Sequence, residues 1–164
     1  ALVVDVSGSM EPSVIYSAIM ASILAALPAL TTSFFAFSDD VIDLTDRVQD
    51  PLELLLGVRV GGGTNIAKGL RTARKSLTNP TRSLVVVVSD FEEGGPLDPL
   101  LAEIRALVDS GATVLGLASL DDAGAPRFHR ANAERIAGAG MPVAALSPLE
   151  LARWVGERVR RSNG

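Results

Sequence analysis

The stretch LVVVVSD, Leu84 to Asp90, decides the fold. Four consecutive valines behind a leucine show no polar alternation, so neither face of the segment is suited to water. Such runs are central strands of a parallel sheet covered on both faces. Leu2 to Val6 has the same composition and runs into acid and hydroxyl residues in DVSGSM, Asp5 to Met10. Further out, Thr32 to Phe37 and Ala112 to Leu117 have strand length and composition, and Pro142 to Leu146 is a shorter case. Ser38-Asp39-Asp40 reads as a tight turn, which makes Val41 to Thr45 an antiparallel edge strand.

Helical patterns separate these runs. Ile15, Ile19, Ile23 and Ala26 recur at near-helical spacing before Pro28, and Ile66, Leu70, Ala73 and Leu77 do the same before Asn79-Pro80. Asp98-Pro99 is read as an N-cap with proline at the first helical position, followed by a stripe of Leu101, Ile104, Leu107 and Val108. Ser147-Pro148-Leu149-Glu150 is a capping box leading into Leu151, Val155 and Val159. Arg127 to Ala137 is a further expected helix, Pro51 to Leu56 a short one, and Leu120 to Arg127 a surface loop.

Alternating strands and helices predict an α/β fold: a doubly wound, Rossmann-like, mostly parallel six-stranded sheet with one antiparallel edge strand and helices on both faces. With 164 residues, one domain over 1–164 is expected. Hydrophobic residues make up 48% and charged residues 21%, which excludes a disordered chain. The mean hydropathy of +0.32 is high, yet no apolar run has the length of a membrane span, so no membrane insertion is expected. The chain opens on Ala1 and a strand-like run, with no basic segment or cleavage signal before it, and reads as a piece of a longer protein in a cytoplasmic setting.

A formal net charge of −4 argues against nucleic acid as a partner. The absence of cysteine removes thiolate metal sites and cysteine nucleophiles, and a single histidine leaves oxygen as the main metal donor. Asp5, Ser7 and Ser9 are spaced two apart at the end of the first strand, so their side chains project to one side. Gly61-Gly62-Gly63-Thr64-Asn65 precedes a helix, and Asp90 ends the valine run. In open α/β sheets ligands collect outside the carboxyl ends of the strands, and if the order is the common doubly wound 3-2-1-4-5-6, the strands of Asp5 and Asp90 flank the switch point. Two carboxylates and three hydroxyls suit a hard cation, with Mg²⁺ or Mn²⁺ the best fit.

DVSGSM, GGGTN and VSDFEEG resemble the three loops of the metal-ion-dependent adhesion site (MIDAS) of von Willebrand factor A (VWA) domains, in the compact bacterial form of CoxE-like proteins. The resemblance implies that Ser7 and Ser9 are direct hydroxyl ligands and that Thr64 coordinates in the ligand-bound state. It implies that Asp5 and Asp90 bind largely through water. It also implies a protein partner that supplies a Glu or Asp to the metal, and a MoxR-type AAA+ ATPase system as the setting. Some members of the family couple ligand binding to displacement of the last helix, here Ser147 to Arg161. The expectation is a non-enzymatic adaptor domain.

The competing reading is a metal-assisted hydrolase using the same ion, with Glu92 or Glu93 as its base. Taken singly, each site residue also has a structural role: an Asx-turn at Asp5, an ordinary turn at Ser7 to Ser9, an N-cap at Thr64 or Asn65, a strand end at Asp90. Glu92 and Glu93 themselves read as solvated loop acids. The glycine run lacks the ending of a P-loop, and His129 with Ser7 or Ser9 has no placed acid partner for a triad. Arg153, Arg158, Arg160 and Arg161 read as a solvated basic helix end beside Trp154.

Overall fold

The computed structural model describes residues 1–27, 31–47, 50, 53, 61–121 and 123–162. The expected helix over Pro51 to Leu56 lies outside them except for Glu53, as does Pro28. Seven strands are described: β1 (Leu2–Asp5), β2 (Phe34–Phe37), β3 (Val41–Asp43), β4 (Leu84–Ser89), β5 (Thr113–Leu120), β6 (Pro126–Arg127) and β7 (Val143–Ala144). The helices are α1 (Val14–Ala25), α2 (Ile66–Ser76), α3 (Asp98–Asp109), α4 (Arg130–Gly138) and α5 (Pro148–Ser162). A 3₁₀ segment, Gly8–Ser13, links β1 to α1.

The strand order is β3-β2-β1-β4-β5, with β7 parallel to β5. β1 lies between β2 and β4, parallel to both, with Val3 opposite Phe35 and Val87. β3 is the antiparallel edge strand. The segment expected as a plain loop adds one short antiparallel pairing, β6 on the end of β5.

Alternate residues of each strand serve opposite faces of the sheet. Val3, Phe35, Phe37, Val85 and Val87 lie under α2, α3 and α4, in a core that includes Leu70, Ile104 and Ile136. Leu2, Val4, Phe34, Val86 and Val88 face the other way, into a core built with Met20 and Leu24 of α1 and Leu151 and Val155 of α5. The valine run of β4 is thus shared between two cores.

Three helix readings need correction. The stripe assigned to α1 points the wrong way: Ile15 is 59% and Ile19 41% exposed, while Tyr16, Ser17, Ala18, Met20, Ala21 and Leu24 are buried. Its twelve residues, VIYSAIMASILA, contain no charge, so periodicity has no polar side to set against the apolar one. The small residues Ser17, Ala18 and Ala21 belong to the buried face. In α3, Leu100 is buried and Val108 is 37% exposed. Asp98 is not a side-chain cap there; its carboxylate pairs with Arg135 of α4 at 3.3 Å. α4 begins at Arg130 rather than Arg127, capped by the Nδ1 of His129, which accepts from Asn132 N at 3.2 Å.

The capping box of α5 forms as expected: Ser147 N donates to Glu150 Oε2 at 2.7 Å, and Glu150 N donates to Ser147 Oγ at 3.3 Å. Among the described residues, no helix is long and apolar enough to cross a membrane.

Candidate functional site

β1 and β4 end side by side, and three loops meet beyond them. In the first, Asp5 and Ser7 are buried and Ser9 is exposed. Ser7 N donates to Asp5 Oδ1 at 2.9 Å, and the Ser7 and Ser9 hydroxyls stand 3.3 Å apart. The Asx-turn and the hydroxyl pair therefore coexist: the turn aims Ser7 and Ser9 to the same side.

The second loop, Gly61 to Asn65, is bonded to the first. Gly61 N donates to Val6 O at 3.0 Å, and Gly8 N donates to Gly62 O at 3.3 Å. Gly61 and Gly62 have φ of 156° and 81°, and Gly63 N donates to Asp39 Oδ2 at 2.8 Å. A Cβ on Gly63 would lie 2.4 Å from Asp39 Oδ1, so the glycine run fits this loop around a carboxylate of the β2–β3 turn rather than around a phosphate. Thr64 sits half-buried at its end, and Asn65 caps α2 by accepting from Lys68 N at 2.9 Å.

The third loop follows β4. Ser89 Oγ donates to Asp5 Oδ2 at 2.5 Å and accepts from Phe91 N at 2.9 Å. Phe91 has φ 58°, a left-handed conformation that costs a phenylalanine roughly 1–2 kcal/mol. Three contacts hold it there: the bond to Ser89, a 2.9 Å bond from Asn132 Nδ2 to Phe91 O, and complete burial of its ring. Gly116 makes room for that ring, since a Cβ there would lie 2.8 Å from Phe91 Cζ. Asp90, 6% exposed, takes a bond from Glu92 N at 3.1 Å on Oδ1, and its carbonyl accepts from His129 N at 2.8 Å.

Asp5 and Asp90 thus lie buried at one edge, and among the described residues neither pairs with a lysine or arginine. Burial pushes the Asp5 carboxyl up from 3.8 to about 6; the Ser7 and Ser89 hydrogen bonds pull it down, and the charge of Asp90 pushes it further up. Two buried acids with hydroxyls beside them and no basic partner are a donor set that fits a hard divalent cation. Among the described residues, no three His, Cys, Asp or Glu side chains are placed to hold a metal ion together, so an ion at this edge would rest on hydroxyls as much as on carboxylates. A cavity of about 570 Å³ lies at the other end of the sheet, lined by Ala1, Leu24, Ser33, Leu77 and Leu84, far from this chemistry.

The expected residues are all at this edge. Asp5, Ser7 and Ser9 are joined by hydrogen bonds, Asp90 repels Asp5, and the Thr64 loop is bonded to both of the others. The reading of Glu93 as a solvated acid is wrong: it is half-buried and accepts from three backbone amides, Ile66 N at 3.1 Å, Ala67 N at 3.2 Å and Gly94 N at 3.2 Å. Burial raises its pKa, against those three bonds. Ser89 and Asn132 were missed. Ser89 adjoins Asp90 in sequence, but nothing local says that its hydroxyl crosses to β1; Asn132 carries no sequence signal at all.

The doubly wound sheet has counterparts among solved structures. A VWA protein from Catenulispora acidiphila superposes with a TM-score of 0.64 at 18% identity, over 96% of this chain and 41% of that one. The manganese-loaded TRAP protein of Plasmodium vivax gives 0.72 at 17% identity, over 94% and 70%. An aerotolerance-related membrane protein from Bacteroides fragilis gives 0.74 at 15%, over 98% and 97%.

Residues 1–155 match the family model of VWA domain containing CoxE-like proteins, and the chain belongs to that family. VWA domains generally mediate protein–protein interaction, and nothing in these relationships indicates an enzymatic activity. The uncharacterized protein YehP of Escherichia coli (strain K12) is 45% identical over 159 residues, which are 97% of this chain and 42% of that protein. The chain therefore spans about two fifths of that relative's length.

Proposed function

We propose that this domain is a metal-dependent protein-recognition module that binds Mg²⁺ or Mn²⁺ at the edge formed by Asp5, Ser7, Ser9, Thr64 and Asp90. By resemblance to the family's site, Ser7 and Ser9 would hold the ion directly, Asp5 and Asp90 largely through water, and Thr64 would join them when a partner's Glu or Asp is bound. When bound, the ion supplies an open coordination position for that carboxylate. The chain's own residues fix the first loop: Ser89 Oγ and Ser7 N donate to the two oxygens of Asp5, and the buried Ser7 hydroxyl stands 3.3 Å from the exposed one of Ser9. The partner system is a MoxR-type AAA+ ATPase in the cytoplasm, with this domain as its adaptor.

The observation that carries this reading is the buried Asp5–Asp90 pair, which has no basic side chain among the described residues to offset it. The hydrolase reading loses support at Glu93, whose carboxylate is committed to three amides and is not placed as a base. Titration of the purified domain with Mn²⁺, followed by electron paramagnetic resonance, tests the metal site. Wild type should bind, and Asp90→Ala should weaken binding by at least about tenfold. Capture of partners from native lysate should require Mg²⁺ and fail for Asp5→Ala/Ser7→Ala; equal capture in chelator would overturn the recognition mechanism.

A further inference from the structure

Helix α2 begins directly behind Thr64, and its first amides lack intrahelical partners. Asn65 takes only that of Lys68. Those of Ile66 and Ala67 go to Glu93, a residue of the third loop, 27 and 26 positions away. A carboxylate there also meets the positive end of the helix dipole. The grip extends to Thr64 itself: Gly94 N donates to Thr64 O at 2.9 Å, and a Cβ on Gly94 would lie 2.7 Å from that oxygen, so the two backbones approach as only glycine permits. Glu93 Oε1 accepts from the same Gly94 amide at 3.2 Å, so that one N–H is shared between Glu93 and Thr64. Thr64 is therefore held on its carbonyl side by Gly94 and just beyond by Glu93, three residues after Asp90.

We infer that Glu93 is a positioning residue that fixes the Thr64 hydroxyl relative to Asp90, so that the second and third loops present their donors as one rigid unit. The inference rests on the metal-site reading above. Glu93 does not touch the ion; its whole contribution passes through Thr64. A cap serving only the helix would stabilise α2 without any link to what Thr64 does, and a loop acid acting by charge alone would need no geometry.

Mn²⁺ affinity of the purified domain separates these roles, measured on Glu93→Ala, Glu93→Gln, Thr64→Ala and the double variant Thr64→Ala/Glu93→Ala. Positioning residues around metal ligands are worth about 10–100-fold in affinity. Glu93→Ala should lose about tenfold, and Glu93→Gln, which keeps one accepting oxygen, should lose clearly less. The double variant should bind as Thr64→Ala does, the non-additivity expected of a residue acting through another. Independently of metal, in chelator, amide hydrogen exchange at Ile66 and Ala67 should accelerate in Glu93→Ala and not in Thr64→Ala.

Wild-type affinity in Glu93→Ala, fully additive losses in the double variant, equal losses for Gln and Ala, or unchanged amide protection would each overturn the inference. Should Glu93→Ala not fold, the Gln variant and its exchange rates decide in the same way. A wild-type domain that takes no Mn²⁺ overturns the metal reading and this inference with it. That result is distinct from one in which wild type binds and the Glu93 variants bind equally.

Discussion

The two helix layers of this domain are held to the sheet by different means. On the side of α2, α3 and α4, side chains cross between elements: Glu103 of α3 accepts from Arg71 Nε at 2.7 Å and Arg74 Nε at 2.9 Å, both on α2. Asn132 of α4 holds Phe91 O, Glu93 holds the start of α2, and Lys68 of α2 pairs with Asp40 of the β2–β3 turn. On the side of α1 and α5 the contact is mainly apolar, with the Tyr16 hydroxyl donating to Leu146 O at 2.7 Å and Arg158 Nη1 of α5 donating to Thr113 Oγ1 of β5 at 3.4 Å. Directional bonds fix position and apolar contact fixes only proximity. The cross-tied layer carries Thr64 and Asp90, while the first loop, with Ser7 and Ser9, runs into the apolar one.

Four substitutions test that contrast, all measured by chemical denaturation in chelator. Gly116→Val should cost most, about 3 kcal/mol, because its side chain enters the space of Phe91 and Val143 and presses on the strained end of the third loop. A loss under about 1 kcal/mol would mean that Phe91 is not fixed there.

Glu103→Ala should cost about 2 kcal/mol, since it removes two charge-assisted bonds whose arginine partners can still reach water. Burial alone would raise the pKa of Glu103, but the bonds and charges of Arg74 and Arg71 outweigh it and leave the group below its usual 4.5. A lowered folded-state pKa means that this stabilisation is complete above the unfolded value and is lost as pH falls through the folded one. The wild-type advantage over Glu103→Ala should therefore shrink on acidification below pH 4.5. An advantage that is constant through that range would remove the ionic account.

Ile15→Ser and Ile19→Ser should have the smallest effect, within about 0.5 kcal/mol, because both side chains face outward. A loss of about 2 kcal/mol from either would restore the inward stripe read from the sequence.

That last test bears on what periodicity can and cannot say. In α2 the expected Ile66, Leu70 and Ala73 are buried, together with Ala67 and Gly69, since Lys68, Arg71, Arg74 and Lys75 mark the solvent side; only Leu77 of the expected stripe falls outside, half-buried just past the helix end. In α1 nothing marks it, and the choice of face was settled by which side chains let the helix approach the sheet. The candidate site divides in the same way. Asp5, Ser7, Ser9, Thr64 and Asp90 were legible because each follows a strand or precedes a helix in a recognisable short pattern. Glu93 looked like one more acid in a loop, and its role depends on amides 26 and 27 positions away.

By itself the sequence determined the main strands and helices of an α/β fold and the placing of an oxygen-rich cluster at strand ends, and the common doubly wound order, taken as a premise, matches the observed one. Those follow from local composition and from the few ways in which parallel strands connect. Tertiary structure alone decided which face of α1 is buried, that Phe91 is held left-handed by Ser89, Asn132 and the space over Gly116, and that Glu93 grips the start of α2. These are contacts between distant segments, and a chain position carries no local mark of the partner that folding will bring to it.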